Sequence, residues 1–202
     1  MTQLLKLDFT FPHNYEVKVL TTAPPVQPVE KLHHFPVELE EGDRSGVYLR
    51  VTPRQGKPWT GFFVLGFESE LVVNSVCSCP DPDTVCAIVG GYSYVVKAAD
   101  PTDWFQLKQR PVVDVRAVPD LGLLLFVGFT EIAALDVEGV RWSSDRLSWE
   151  GISITAIKGE KLLGLGWDAI ADQEVPFDLD LLTGKHSGGA RPGITPAARK
   201  EL

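Results

Sequence analysis

Three glycines recur at one fixed step in this chain, Gly90, Gly128 and Gly166, 38 residues apart each time, and each closes a short apolar run: CAIVG, LLFVG and LLGLG. Trp104 and Trp142 keep the same step, whereas the third such position is Asp180, in FDLDLLTGK. Residues 123–142, LLLFVGFTEIAALDVEGVRW, are the middle copy around which the other two are set. A unit of about 40 residues made of short apolar pieces is too small to bury its own face and must stack on its neighbours, which predicts repeated four-stranded β-units. The chain is therefore expected to be all-β.

Along the chain, residues 4–11 (LLKLDFTF) and 15–20 (YEVKVL) are rich in β-formers and split by Pro12, His13 and Asn14, predicting two strands about a turn. Residues 21–43 hold Pro24, Pro25, Pro28 and Pro36 and the acidic run Glu38, Glu40, Glu41 and Asp43, and read as a long loop or linker. GVYLRVT (46–52) and WTGFFVLGF (59–67) flank PRQGKP as a hairpin. Three repeats follow. The first runs VVNSVCS, VCAIVG, YSYVVKA, DPTDWFQL; the second VVDVRAV, LLLFVG, TEIAALDV, GVRWS; the third ISITAI, LLGLGW, AIAD, VPFDLDLL. The tail KHSGGARPGITPAARKEL has too little apolar content to pack. This divides the chain into an N-terminal β segment with its Pro-rich acidic linker (1–69), three repeats (70–183) and a flexible tail (184–202).

The repeats resemble blades of a β-propeller, the fold family that includes WD40 and quinoprotein-like repeats. The resemblance covers residues 70–182 and rests on period and strand count, because Trp104 is followed by Phe105 and Trp142 by Ser143, so the WD dipeptide is absent. It implies consecutive antiparallel four-stranded blades, partial or small as a propeller, with N-terminal β-hairpins. Closed propellers have four to eight blades. With three repeats visible, residues 4–67 are expected to supply a degenerate fourth unit, or the array is open, its sheet edges covered by the N-terminal strands or by a second copy in a homodimer.

With 19 basic against 27 acidic residues, the formal net charge of −8 argues against a sequence-independent grip on nucleic acid. No apolar run reaches the roughly 20 residues of a membrane span, and MTQLLKLDFTFP has neither a basic start nor a continuous apolar stretch, so a cytoplasmic location is expected. Three cysteines, an odd number, make no disulfide framework. Cys77, Cys79 and Cys86, with His33 and His34, are the only soft ligands in number. Their C-x-C-x6-C spacing differs from the C-x2-4-C pairs of structural zinc sites. In the repeat, Cys86 aligns with Leu124 and Leu162 and, with the third repeat allowed one residue fewer in its first turn, Cys77 aligns with Val115 and Ile154 and Cys79 with Ala117 and Ala156. The cysteines thus fall at apolar positions and are expected to be buried, reduced and metal-free.

No G-x-S-x-G elbow accompanies the histidines, Ser143, Ser144 and Asp145 read as a turn, and Gly188 and Gly189 lack the rest of a phosphate loop. Asp178 and Asp180 share a strand face, which is ordinarily a solvated one. Trp104 and Trp142 read as packing residues between blades, while Trp59 and Trp149, near predicted turns, are expected to be exposed anchors. The leading expectation is a non-enzymatic binding module without a cofactor, an acidic cytoplasmic inhibitor or immunity-type protein for a basic protein partner. Its contact surface would be Glu38, Glu40, Glu41, Asp43, Trp59 and Trp149. The competing expectation is a hydrolase of glycosidic or ester bonds, with aspartates gathered in a central cleft.

Overall fold

The computed structural model describes residues 5–23, 32–36 and 45–191, in which a short 3-10 turn at Pro119–Leu121 is the sole helical element. The strands, numbered along the chain, form four sheets. In spatial order, sheet 1 is β2 (Tyr15–Leu20), β4 (Gly46–Pro53), β5 (Trp59–Val64) and β3 (Leu32–Phe35). Sheet 2 is β1 (Lys6–Asp8), β6 (Ser75–Ser78), β7 (Thr84–Val89), β8 (Tyr92–Lys97) and β9 (Trp104–Gln106). Sheet 3 is β10 (Val112–Val118), β11 (Leu123–Gly128), β12 (Ile132–Asp136) and β13 (Gly139–Ser143). Sheet 4 is β14 (Ile152–Lys158), β15 (Lys161–Asp168), β16 (Gln173–Asp180) and β17 (His186–Gly188). The expected all-β stack of consecutive, largely antiparallel sheets is what the chain forms, three of them four-stranded and sheet 2 widened to five by β1. Its apolar runs of four to six residues suit strands and are too short for helices.

Three local expectations are corrected. Lys6–Asp8 and Tyr15–Leu20 are both strands, but they do not pair with each other: β1 runs parallel to β6, and β2 runs antiparallel to β4. β3 lies inside the stretch read as linker and pairs parallel with β5, Phe35 opposite Phe63, where the two rings stack at 4.6 Å. In the third repeat, residues 169–172 are a turn, so QEVPFDLD supplies the third strand and the fourth, β17, comes from the stretch read as flexible tail. Ala190 is buried there, and Arg191 Nε donates to the Asp168 carboxylate at 2.9 Å.

The sheets pack face to face in numerical order. One apolar cluster joins sheets 1 and 2 (Leu49, Trp59 and Phe63 against Ala87, Val89 and Tyr94). A second joins sheets 2 and 3 (Cys86, Ile88 and Val95 against Leu124, Phe126 and Leu135), and a third joins sheets 3 and 4 (Leu125, Val127 and Trp142 against Leu162, Phe177 and Leu179). No apolar cluster of the described residues joins sheets 4 and 1. β7 and β11, covered on both faces, are buried along their whole length, while β15 alternates: Leu162 and Gly164 are buried, Leu163 and Leu165 half-buried. That alternation is what a sheet shows when one face lacks a neighbour.

The repeat is exact in strand order but not in residue register. Cys86 and Leu124, one step apart, do not point the same way along the stack; they meet across the seam of sheets 2 and 3. Ala87 faces sheet 1 and its counterpart Leu125 faces sheet 4. A slip of one residue in a strand exchanges its two faces, and such a slip separates the first repeat from the second. From the second to the third the step holds, since Leu124 and Leu162 both face the preceding sheet. The glycine landmarks differ accordingly. Gly90, at φ 58°, occupies a two-residue hairpin turn between Val89 and Tyr92; Gly128 ends β11; Gly166 lies inside β15, where a Cβ would collide with the Leu147 carbonyl.

Candidate protein-binding surface

The outer end of the seam between sheets 2 and 3 opens into a cavity of about 280 Å³. Sheet 2 supplies its walls through Cys79 and Val95, Lys97 at the end of β8, Asp103 just before β9, and Phe105 on β9. Sheet 3 supplies Leu135 and the tight turn of Asp136, Val137, Glu138 and Gly139 between β12 and β13. Each strand delivers its residue by alternation: Trp104 turns into the core between sheets 1 and 2, so Phe105 turns out and is 38% exposed. Val137, at the tip of its turn, is 61% exposed. The result is an apolar floor, an aromatic wall and a rim of carboxylates. A neighbouring hollow, lined by Arg54, Asp83, Asp100 and others, shares Lys97 and Asp103 with it.

Two of the rim carboxylates are already engaged. Lys97 Nζ donates to Asp81 Oδ2 at 2.5 Å, and Thr84 Oγ1 and the Asp83 N–H donate to the same carboxylate. Burial by itself would raise the Asp81 carboxyl, but these hydrogen bonds outweigh it and hold it below the ordinary value. The hydrogen bond to Asp81 in turn raises Lys97. Asp136 pairs with Arg141 at 3.5 Å. Asp103 and Glu138, one on each side of the seam, have no ion-pair partner among the described residues. What this arrangement can do is attract and seat a cation that also carries apolar surface.

The residues singled out from the sequence are not gathered there. Trp59 is 4% exposed, packed between sheets 1 and 2 with its indole N–H donated to the Ala98 carbonyl at 2.8 Å, so the expectation of an exposed anchor is corrected. β5 is covered on both faces, which a position beside a turn did not reveal. Trp149 is half-buried in the connection between β13 and β14; the Arg146 guanidinium sits 4.3 Å over its ring, and its N–H donates to the Arg191 carbonyl at 3.1 Å. Glu38, Glu40, Glu41 and Asp43 lie outside the described residues. Trp104 and Trp142 do pack between sheets as expected, Trp104 toward sheet 1 and Trp142 toward sheet 4. All three cysteines are buried in the cluster between sheets 2 and 3, with Cys77 directly opposite Cys86. Burial pushes the Cys77 thiol up to about 11 and those of Cys79 and Cys86 well above their ordinary value. Asp103, Phe105, Val137 and Glu138 were missed because each lies in an ordinary turn or strand end, and only the stacking of sheets brings them together.

Fold and surface together define a stack of blade-like β-sheets with a cavity between two repeat units. No family model matches the chain, and no curated protein matches it. Among solved structures it is similar to the WD40 domain of SCAP from fission yeast, at 9% identity and a TM-score of 0.30, over 83% of this chain and 46% of that domain. The chain thus spans less than half of that domain's length, and a likeness so slight bears on neither partner nor activity.

Proposed function

We propose that this chain is a non-enzymatic protein-binding module that takes a basic protein partner, in the manner of an inhibitor or immunity protein. The observation that carries the reading is the cavity between sheets 2 and 3, which Asp81, Asp103, Asp136 and Glu138 line together with exposed Phe105 and Val137 and a single cation, Lys97. Aromatic and apolar surface rimmed by an excess of negative charge suits a partner of the opposite sign, and the net charge of −8 would steer the encounter. The test is capture of partners on the immobilised protein, identified by mass spectrometry and repeated at about 0.1 M and about 1 M salt, where the screening length falls from about 10 to about 3 Å. A specific basic protein released at the higher salt is expected. No such partner, with turnover in a hydrolase screen, overturns the reading.

A further inference from the structure

We propose that the cavity between sheets 2 and 3 is a socket for a single arginine side chain presented by that basic partner; this rests on the binding function proposed above and names what the surface reads. At about 280 Å³ the cavity lies just below the range of roughly 300 to 1,000 Å³ typical of small-molecule sites, a size suited to one long side chain. Its floor of Cys79, Val95 and Leu135 is apolar, matching the aliphatic stem of such a residue.

The rim decides the charge. Asp81 is paired with Lys97 and Asp136 with Arg141, which leaves Asp103 on the sheet 2 side and Glu138 on the sheet 3 side of the cavity without a direct ion pair among the described residues, Lys97 acting on Asp103 only from a distance. A metal ion is the poorer occupant, since no three carboxylate, cysteine or histidine side chains among the described residues are grouped closely enough to hold one. A guanidinium offers five N–H donors in a flat fork, so it can bond two carboxylates on opposite edges and still lay its face on a ring. An ammonium is a point charge on a flexible stem and does not satisfy both sides with that geometry. Phe105, exposed on the wall, supplies the ring. Both free carboxylates belong to exposed residues, so neutralising them leaves the packed seam intact.

The experiment titrates the isotopically labelled protein with three probes, N-acetyl-arginine methylamide, its lysine analogue and its neutral citrulline isostere, followed by amide chemical shifts. The arginine amide is expected to shift residues 103–105 and 135–139, to bind at least about threefold more tightly than the lysine amide, and to lose binding in Asp103→Asn/Glu138→Gln; citrulline is expected to leave the spectrum unchanged. Shifts elsewhere, equal binding of lysine, or binding undiminished in the double variant overturns the socket. Retention of the basic partner by the double variant at full affinity overturns the socket while leaving the binding function standing. Failure to find any basic partner overturns the function, and the amide titration then decides the socket by itself.

Discussion

The indole N–H of Trp142 on β13 donates to the carbonyl of Leu181, just past the end of β16, at 2.8 Å, and so fastens sheet 3 to sheet 4. Trp59 does the same two seams earlier, between sheets 1 and 2, reaching the carbonyl of Ala98 just past β8 at 2.8 Å. In each case a large ring fills the space between two sheets while its single donor satisfies a carbonyl that the strand ladder leaves over.

Replacing Trp142 with Phe keeps most of the buried ring and removes the donor, which leaves the Leu181 carbonyl without its partner in a buried site. The expected cost is about 1–3 kcal/mol in the urea unfolding free energy. Trp142→Ala should cost about 3–5 kcal/mol, since a cavity is added. A Phe variant as stable as the parent would remove the hydrogen bond from the account.

Trp59 and Trp149 separate by the same measurement. Trp59→Ala is expected to cost about 3–5 kcal/mol because the side chain is buried among Phe35, Leu49 and Ala98. Trp149→Ala should cost about 1–2 kcal/mol, the loss of a cation–π contact with Arg146 and of the indole hydrogen bond to the Arg191 carbonyl, both at a half-buried site. Equal costs would contradict the burial of one and the exposure of the other.

Neighbouring leucines on β15 test the two faces of sheet 4. Leu162 is fully buried against sheet 3, and Leu163, half-buried, points to the other face. Leu162→Ala should cost about 2–5 kcal/mol, while Leu163→Ala should stay within about 1 kcal/mol and Leu163→Lys should still fold. An unfolded Leu163→Lys would show that this face is covered, and sedimentation of the parent would then reveal whether a second copy covers it.

Acid should act on the seam through Asp81. Its carboxyl is held below 3.8, so the stability it contributes is whole above that value and is lost as pH falls through the lowered one. Lys97 is raised above 10.5, and its share is whole below 10.5 and lost as pH rises through the raised value. With Lys97 44% exposed, the pair is worth about 1 kcal/mol at neutral pH. Asp81→Asn should therefore be about that much less stable at pH 7, with a difference that closes below pH 3.8. A difference persisting at pH 2 would point to packing instead of charge.

The thiols offer a probe of the same seam from within. Cys77, Cys79 and Cys86 are buried, and their thiols are shifted away from the reactive thiolate. A dithiobenzoate reagent should find essentially no reactive thiol in the native protein and three in about 6 M guanidinium chloride. Fast reaction of one thiol under native conditions would show that the cavity floor at Cys79 opens.

The residues by themselves determined the class of structure: CAIV, LLFV and LLGL are too short for helices, are bounded by turn residues, and recur at a period that calls for stacked four-stranded units. They also placed the cysteines in the core, since each falls at an apolar repeat position. Tertiary structure alone decided which face each residue presents, because a strand has a period of two and a slip of a single residue, invisible to a count of apolar runs, sends Cys86 and Leu124 toward each other. It alone pulled β3 out of a proline-rich stretch and β17 out of the tail, where pairing with β5 and β16 supplies hydrogen bonds that local composition cannot foresee. The rim of Asp103 and Glu138 belongs to the same kind of fact: 35 residues apart along the chain, they line one cavity only because sheet 2 packs on sheet 3, and a juxtaposition of that range is set by burial of the seam and not by anything within either turn.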